Sequence, residues 1–183
     1  MKMFGVDHRP WPTPLKWLAL ASGAWLVVLM LINQYLITPD APQGLISYEL
    51  AGESDRVAHI RQNWGEEGQF WAHLSLYLDF FFIGVYLAFL LRFSNHLLLD
   101  RPGVREQQLG RLAKGFFVLG AGGDAGENLF LILAIARPED DQWPMVAVTA
   151  TLVKLTGLLI GAAALLVLRA SRRHPLTTDH SGD

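Results

Sequence analysis

The sequence predicts an all-α membrane protein: a bundle of four transmembrane helices with both termini cytoplasmic and a short amphipathic helix in the first outer loop. Three observations predict it. Hydrophobic residues make up 51% of the chain and its mean hydropathy is positive, while charged residues make up 17%, below the roughly 25% of soluble domains. Four stretches reach the about 20 apolar residues needed to cross a ~30 Å hydrocarbon core. Lys and Arg are divided very unevenly between the loops that these stretches define.

The first stretch runs from about Leu15 to Ile37, the second from Phe70 to Phe93, the third from Leu112 to Ala136 and the fourth from Met145 to Leu168. Residues 1–170 then form one domain, and the polar tail 171–183, with Pro175, reads as disordered. The first stretch is preceded by Lys2, Arg9 and Lys16, as a signal peptide would be. Its small residues ALASGA lie near the start of the apolar run, however, so cleavage there would leave too short a core; an uncleaved signal anchor fits better.

Orientation follows from the cations. Eleven fall on one side: Lys2, Arg9 and Lys16; Arg92, Arg101, Arg105, Arg111 and Lys114; Arg169, Arg172 and Arg173. Only Arg56, Arg61 and Arg137 fall on the other, which places both termini in the cytoplasm. The outer loops are acidic, with Glu49, Glu53, Asp55, Glu66, Glu67 and the run Glu139-Asp140-Asp141, and read as solvated faces. Asp100-Arg101-Pro102-Gly103 reads as a turn on the cytoplasmic side.

In the first outer loop, residues 38–69, SDRVAHIRQNWG reads as a short helix with Ser54 as N-cap and Gly65 just past its end. Val57, Ile60, Arg61 and Trp64 share a face, which suits a helix lying on the membrane with Trp64 at the headgroup level. The preceding GLISYELAG is apolar enough either to cover the outer mouth of the bundle or to lie along the interface as a linker.

The chemistry, if any, lies in charges at membrane depth. Each costs roughly 2.5–3.5 kcal/mol on insertion scales and therefore faces the bundle interior. Four qualify: Asp79 in the second stretch, Asp124 and Glu127 in the third, and Lys154 in the fourth. Asp79, Glu127 and Lys154 each lie nine residues from the outer end of their stretch, and Asp124 twelve. At ~1.5 Å of rise per residue they share one depth within about a helical turn. Asp124, Glu127 and Asn128 fall at i, i+3 and i+4, on one face. Ser75, Asp79, Phe82 and Tyr86 share a face of the second helix; Thr151, Lys154 and Gly161 share one of the fourth, with Gly157 beside it. Gly122-x-x-x-Gly126 and Gly157-x-x-x-Gly161 are small-residue pairs that let helices three and four approach, with Lys154 near Asp124 or Glu127. Asn33 and Gln34 face the same site or its mouth.

Three acids against one lysine leave two carboxylates to be protonated, hydrated or paired with a cation. A binding or conducting site for a proton, ion or small amphiphile is the leading reading. An intramembrane enzyme acting on a lipid, with the acids as general acid and base, is the second. A structural subunit whose charges only fix helix register is the third. A lateral opening with a carboxylate facing it would mark the enzyme, a closed or axial cavity the binding or transport protein, and a filled interior the structural subunit.

Other chemistry finds little support. Cysteine is absent, which excludes disulfides, thiolate metal sites and thiol catalysis. No metal or cofactor is expected: the membrane segments offer one histidine, His73, and no multi-His set. No Gly-x-Ser-x-Gly elbow, P-loop or dinucleotide fingerprint occurs. A net charge of −2 points to no nucleic acid partner. Expected partners are membrane lipids, a small-molecule or ion ligand, and a second copy or a membrane complex.

The segments ELAG, LDFFFIGVY and GDAGENLFL are similar to those of small bacterial four-helix integral membrane proteins. That resemblance implies the topology and a membrane location, and attaches no activity. Four-helix multidrug transporters resemble the chain in architecture alone: they are much shorter and place their intramembrane glutamate in the first helix.

Overall fold

In the computed structural model, residues 10–99, 101–137, 140 and 142–170 are described. Lys2, Arg9, Asp100, Glu139, Asp141 and the tail 171–183 lie outside them. The described residues are helical throughout, apart from turns. Helix α1 spans Thr13–Asn33 and ends in a 3-10 turn, Gln34–Leu36; a five-residue helix α2, Leu45–Glu49, follows. Helix α3 runs Ser54–Leu98, α4 Val104–Ala136 and α5 Gln142–Ala170. Four of these, α1, α3, α4 and α5, are long and apolar enough to cross a membrane.

The helices are longer than the apolar stretches because hydropathy marks the part that crosses a bilayer, not where helical hydrogen bonding stops. Thus α4 begins eight residues before Leu112, through the polar VREQQLGR. Pro12 precedes α1 with extended backbone, and a second proline, Pro14, falls in the first turn, where its missing N–H costs nothing.

The segment from Ser54 forms the expected helix as far as Trp64 and is broken from the long helix that follows at Gly65, whose φ of 59° and ψ of −163° suit glycine alone. The Gln69 side chain spans the break and donates to the Arg61 carbonyl at 3.3 Å. Glu53, extended, occupies the N-cap position expected for Ser54. The face expected to meet lipid is buried in protein instead. Val57, Ile60 and Trp64 join Leu36, Tyr48 and Leu76 in one core, and Trp64 Nε1 donates to the Leu36 carbonyl at 2.8 Å. Tyr48 lies against the Trp64 ring at a centroid distance of 5.1 Å. Trp64 therefore clamps the end of α1, where the sequence suggested a headgroup anchor.

Helices α4 and α5 form the most extensive contact, α3 packs on α4, and α1 packs chiefly on α3. Of α1 only Leu15 and Ile32 are buried, while Leu20, Val27, Met30 and Leu31 are more than half exposed. Trp25 ties it to α3 by donating to the Leu78 carbonyl at 3.1 Å. Because α1 and α5 do not pack closely together, the bundle has a seam between them. At the end opposite α2, Arg101 is buried and donates to the carbonyls of Leu97 and Arg169, so this residue of the expected loop joins the ends of α3 and α5.

Candidate functional site

The α4–α5 contact sets the site, and glycines set the contact. A Cβ on Gly123 would lie 2.6 Å from the Lys154 nitrogen, and one on Gly157 2.6 Å from the Gly120 nitrogen. Gly120 meets Leu158 and Lys154, and Gly161 meets the Phe117 ring. The α4 side of the interface is thus Gly120 and Gly123, not Gly122-x-x-x-Gly126: nothing lies within 4 Å of Gly122, and Gly126 makes only ordinary contact. The four-residue spacing of Gly122 and Gly126 stands out in sequence, while Gly120 and Gly123 are three apart, and only the packing register shows which pair meets α5.

Close approach at Gly123 brings the Lys154 backbone against α4 and its ammonium between two acids. Lys154 Nζ lies 2.7 Å from Asp124 Oδ1 and 2.9 Å from Glu127 Oε2. The other oxygens are also held. Tyr86 donates its hydroxyl to Asp124 Oδ2 at 2.8 Å, and Thr151 Oγ1 lies 2.8 Å from Glu127 Oε1 and 3.0 Å from the Ala147 carbonyl. Asp124 and Glu127 are buried. This half of the site is an ion triplet with hydrogen bonds on both carboxylates, the condition under which buried charges are tolerated.

The other half is less complete. Asp79 Oδ2 accepts from Asn128 Nδ2 at 2.6 Å, and no other hydrogen bond or ion pair to Asp79 occurs among the described residues. Beside Asp79 a cavity of about 760 Å³ opens between α1, α3, α4 and α5, bordered also by α2. Its polar lining includes Ser75, Asp79, Tyr86, Asp124, Asn128, Thr151 and Lys154; its walls are apolar, with Leu26, Leu29 and Met30 on α1 and Leu155 and Leu158 on α5. Of the polar site residues expected from the sequence, Ser75, Asp79, Tyr86, Asp124, Asn128 and Lys154 line this cavity and Glu127 does not; it is held by Lys154 and Thr151. Asn33 and Gln34 border it too.

Sequence reasoning missed Glu49. Placed among the solvated outer acids, it is instead on α2, which folds inward so that Leu45, Ile46, Glu49 and Leu50 line the cavity. The device that turns α2 inward is Asn33: Oδ1 accepts from the Leu45 N–H at 2.8 Å and Nδ2 donates to the Gln43 carbonyl at 3.1 Å. Burial pushes the Glu49 carboxyl up to about 8, reinforced by the carboxylates of Glu127, Asp79 and Asp124 and opposed by Lys154. The one sequence signal was its place in the apolar GLISYELAG, where a lone acid is out of pattern.

His73 stays on its own helix, with Nδ1 2.8 Å from the Gln69 carbonyl. Among the described residues no group of three His, Cys, Asp or Glu is placed to hold a metal ion. Compared with known proteins, the chain matches no family model, no curated protein and no solved structure.

Proposed function

We propose that this chain is a multi-pass protein of the bacterial inner membrane, with both termini cytoplasmic, that binds a small amphiphile reaching its cavity from the bilayer. The observation that carries this reading is the cavity itself: about 760 Å³, with apolar walls on α1 and α5 and charged groups along its floor. Ligand sites pair such walls with a few placed polar groups and typically measure ~300–1,000 Å³. A purely structural ion-pair network would have filled this interior. The seam between α1 and α5 supplies lateral access, and the amphiphile's tail would lie against Leu26, Met30 and Leu155, themselves partly exposed.

A second reading, an intramembrane enzyme acting on a lipid, is favoured by the lateral opening itself, the mark expected of an enzyme; binding is put first because both readings require it. The Asp79 carboxylate lines the laterally open cavity with one hydrogen-bond partner, as a general acid or base would. The two readings share the binding step. The test is to purify the protein and a Leu29→Trp variant, whose larger side chain would narrow the cavity along the wall where a tail would lie, and compare co-purifying amphiphiles by mass spectrometry. The expected result is a species retained by the wild type and lost from Leu29→Trp. Identical profiles for two folded proteins would refute cavity binding.

A further inference from the structure

Resting on that amphiphile-binding reading, we infer that the occupant has a cationic nitrogen head with N–H donors, seated between the carboxylates of Glu49 and Asp79. The inference comes from counting donors and charges around the cavity. Lys154 is engaged by Asp124 and Glu127 at once. The Tyr86 hydroxyl is given to Asp124, and Thr151 faces Glu127 and the Ala147 carbonyl. Asn128 gives one N–H to Asp79. On the remaining side, Glu49 has neither a hydrogen bond nor an ion pair among the described residues, and Asp79 has only Asn128. The Ser75 hydroxyl, one helical turn from Asp79, also lines the cavity with no hydrogen bond among the described residues, but it carries no charge, so the floor is short of positive charge at one place, under α2.

Charge favours the same head. Four carboxylates, Glu49, Asp79, Asp124 and Glu127, surround one ammonium, and each of the other three acids acts electrostatically on Glu49. An anionic head would add to this repulsion, and beside a neutral one only a proton on Glu49 relieves it. A bare cation fits poorly, because the volume is that of about 25 waters at ~30 Å³ each and most of the walls are apolar. An ammonium supplies what is missing: up to three N–H donors and one positive charge, in charge-assisted bonds roughly twice as strong as neutral ones. The alkyl chain attached to it would run up between α1 and α5. Fixing α2 through Asn33 places Glu49 over the head without its own side chain needing a protein partner.

Binding should also depend on pH in a defined direction. The groups facing Glu49 are Asp79 on α3, Asp124 and Glu127 on α4 and Lys154 on α5. With the carboxyl of Glu49 pushed up to about 8, it is largely protonated at pH 7. A cation prefers the ionised form, so affinity rises as pH rises through 8, and binding at pH 7 releases a proton.

The experiment compares three probes with one tail: octylammonium, octanol and octanoate, titrated by calorimetry into the full chain in nanodiscs, with empty nanodiscs as reference. Octylammonium is expected to bind saturably and at least ~10-fold more tightly than octanol, a ratio equivalent to ~1.4 kcal/mol. Glu49→Gln and Asp79→Asn should each bring octylammonium to the octanol level, and the wild-type affinity for it should rise between pH 6.5 and 9. Equal binding of octylammonium and octanol, unchanged by Glu49→Gln, would overturn the cationic head while leaving the amphiphile site intact. Absence of saturable binding by all three, or binding unaltered in Leu29→Trp, would overturn the site itself. The wild-type pH series needs no variant to fold, and a flat series overturns the role of Glu49.

Discussion

Replacing Gly157 by alanine sets two effects of opposite sign against each other. In a helix, glycine to alanine gains roughly 0.5–1 kcal/mol from backbone entropy. Against this, the new Cβ would stand 2.6 Å from the Gly120 nitrogen, 2.7 Å from its Cα and 2.8 Å from the Phe116 carbonyl oxygen. All three are backbone atoms of α4, so no side chain can rotate away, and α4 and α5 must part by about 0.8 Å to reach ordinary contact at 3.4 Å. Overpacking of this kind costs roughly 1–3 kcal/mol. Lys154, one turn away at ~1.5 Å of rise per residue, would also be drawn off carboxylates it now meets at 2.7 and 2.9 Å. At mid-range values the clash wins by about 1 kcal/mol, or a few degrees at the ~2–4 °C per kcal/mol of chains this size. The assay is thermal unfolding of the purified protein in detergent, followed by tryptophan fluorescence. Gly122→Ala is the control, because nothing lies within 4 Å of it, and it should melt at or slightly above wild type. A Gly157→Ala midpoint equal to or above wild type, or an equal fall in Gly122→Ala, would refute the packing register described for α4 and α5.

Further outcomes can be checked with the same purified material. Lys154→Met should destabilise by roughly 3–5 kcal/mol by leaving Asp124 and Glu127 without their cation, and adding Asp124→Asn and Glu127→Gln should restore most of the loss in a thermal melt. Gly65→Ala should lower the unfolding midpoint by an amount equivalent to about 1–3 kcal/mol, since its φ of 59° is strained for a side chain; an unchanged midpoint would show that α3 straightens without cost. Trp64→Phe leaves the Leu36 carbonyl without its donor and should cost roughly 1–3 kcal/mol, read as a lower denaturation midpoint. The Glu49 carboxyl is raised from 4.5 to about 8 in the folded state. Stability should therefore fall as pH rises from about 4.5 to 8 and level off above, because the unfolded chain releases that proton first. Glu49→Gln should flatten this part of the profile, and an unchanged slope would remove Glu49 as its source.

How much of this the sequence discloses depends on the range of the interaction. The four spanning helices are a matter of local composition and stand out at once. Asp124, Glu127 and Asn128 share a face by helical periodicity, and depth counting brings Lys154 and Asp79 alongside them; both arguments need only rise and repeat. The position of Glu49 could not be read this way. It depends on a contact between Asn33 and the backbone of Gln43 and Leu45, which turns a loop acid into a cavity wall. The role of Trp64 was likewise hidden, because an amphipathic face buries equally well in lipid or in protein, and only the arrival of Leu36 beneath it decides. The choice between Gly122 and Gly120 or Gly123 rests on how α4 is rotated about its axis, a property of its neighbours rather than of its own residues.

The lysine bridge also bears on how the chain enters a bilayer. Helix α4 is the least apolar of the four spanning helices and includes both Asp124 and Glu127. Its counter-charge lies on α5, beyond a connection of only a few residues. Presented alone to the insertion machinery, α4 would have to bring two acids into hydrocarbon at roughly 2.5–3.5 kcal/mol each. Presented with α5, it brings a hydrogen-bonded cluster in which Lys154 offsets one of the two negative charges, already zipped together through glycine contacts. The minimal unit of insertion is then the hairpin of α4 and α5, and a chain truncated before Gln142 should leave α4 outside the membrane, accessible to protease.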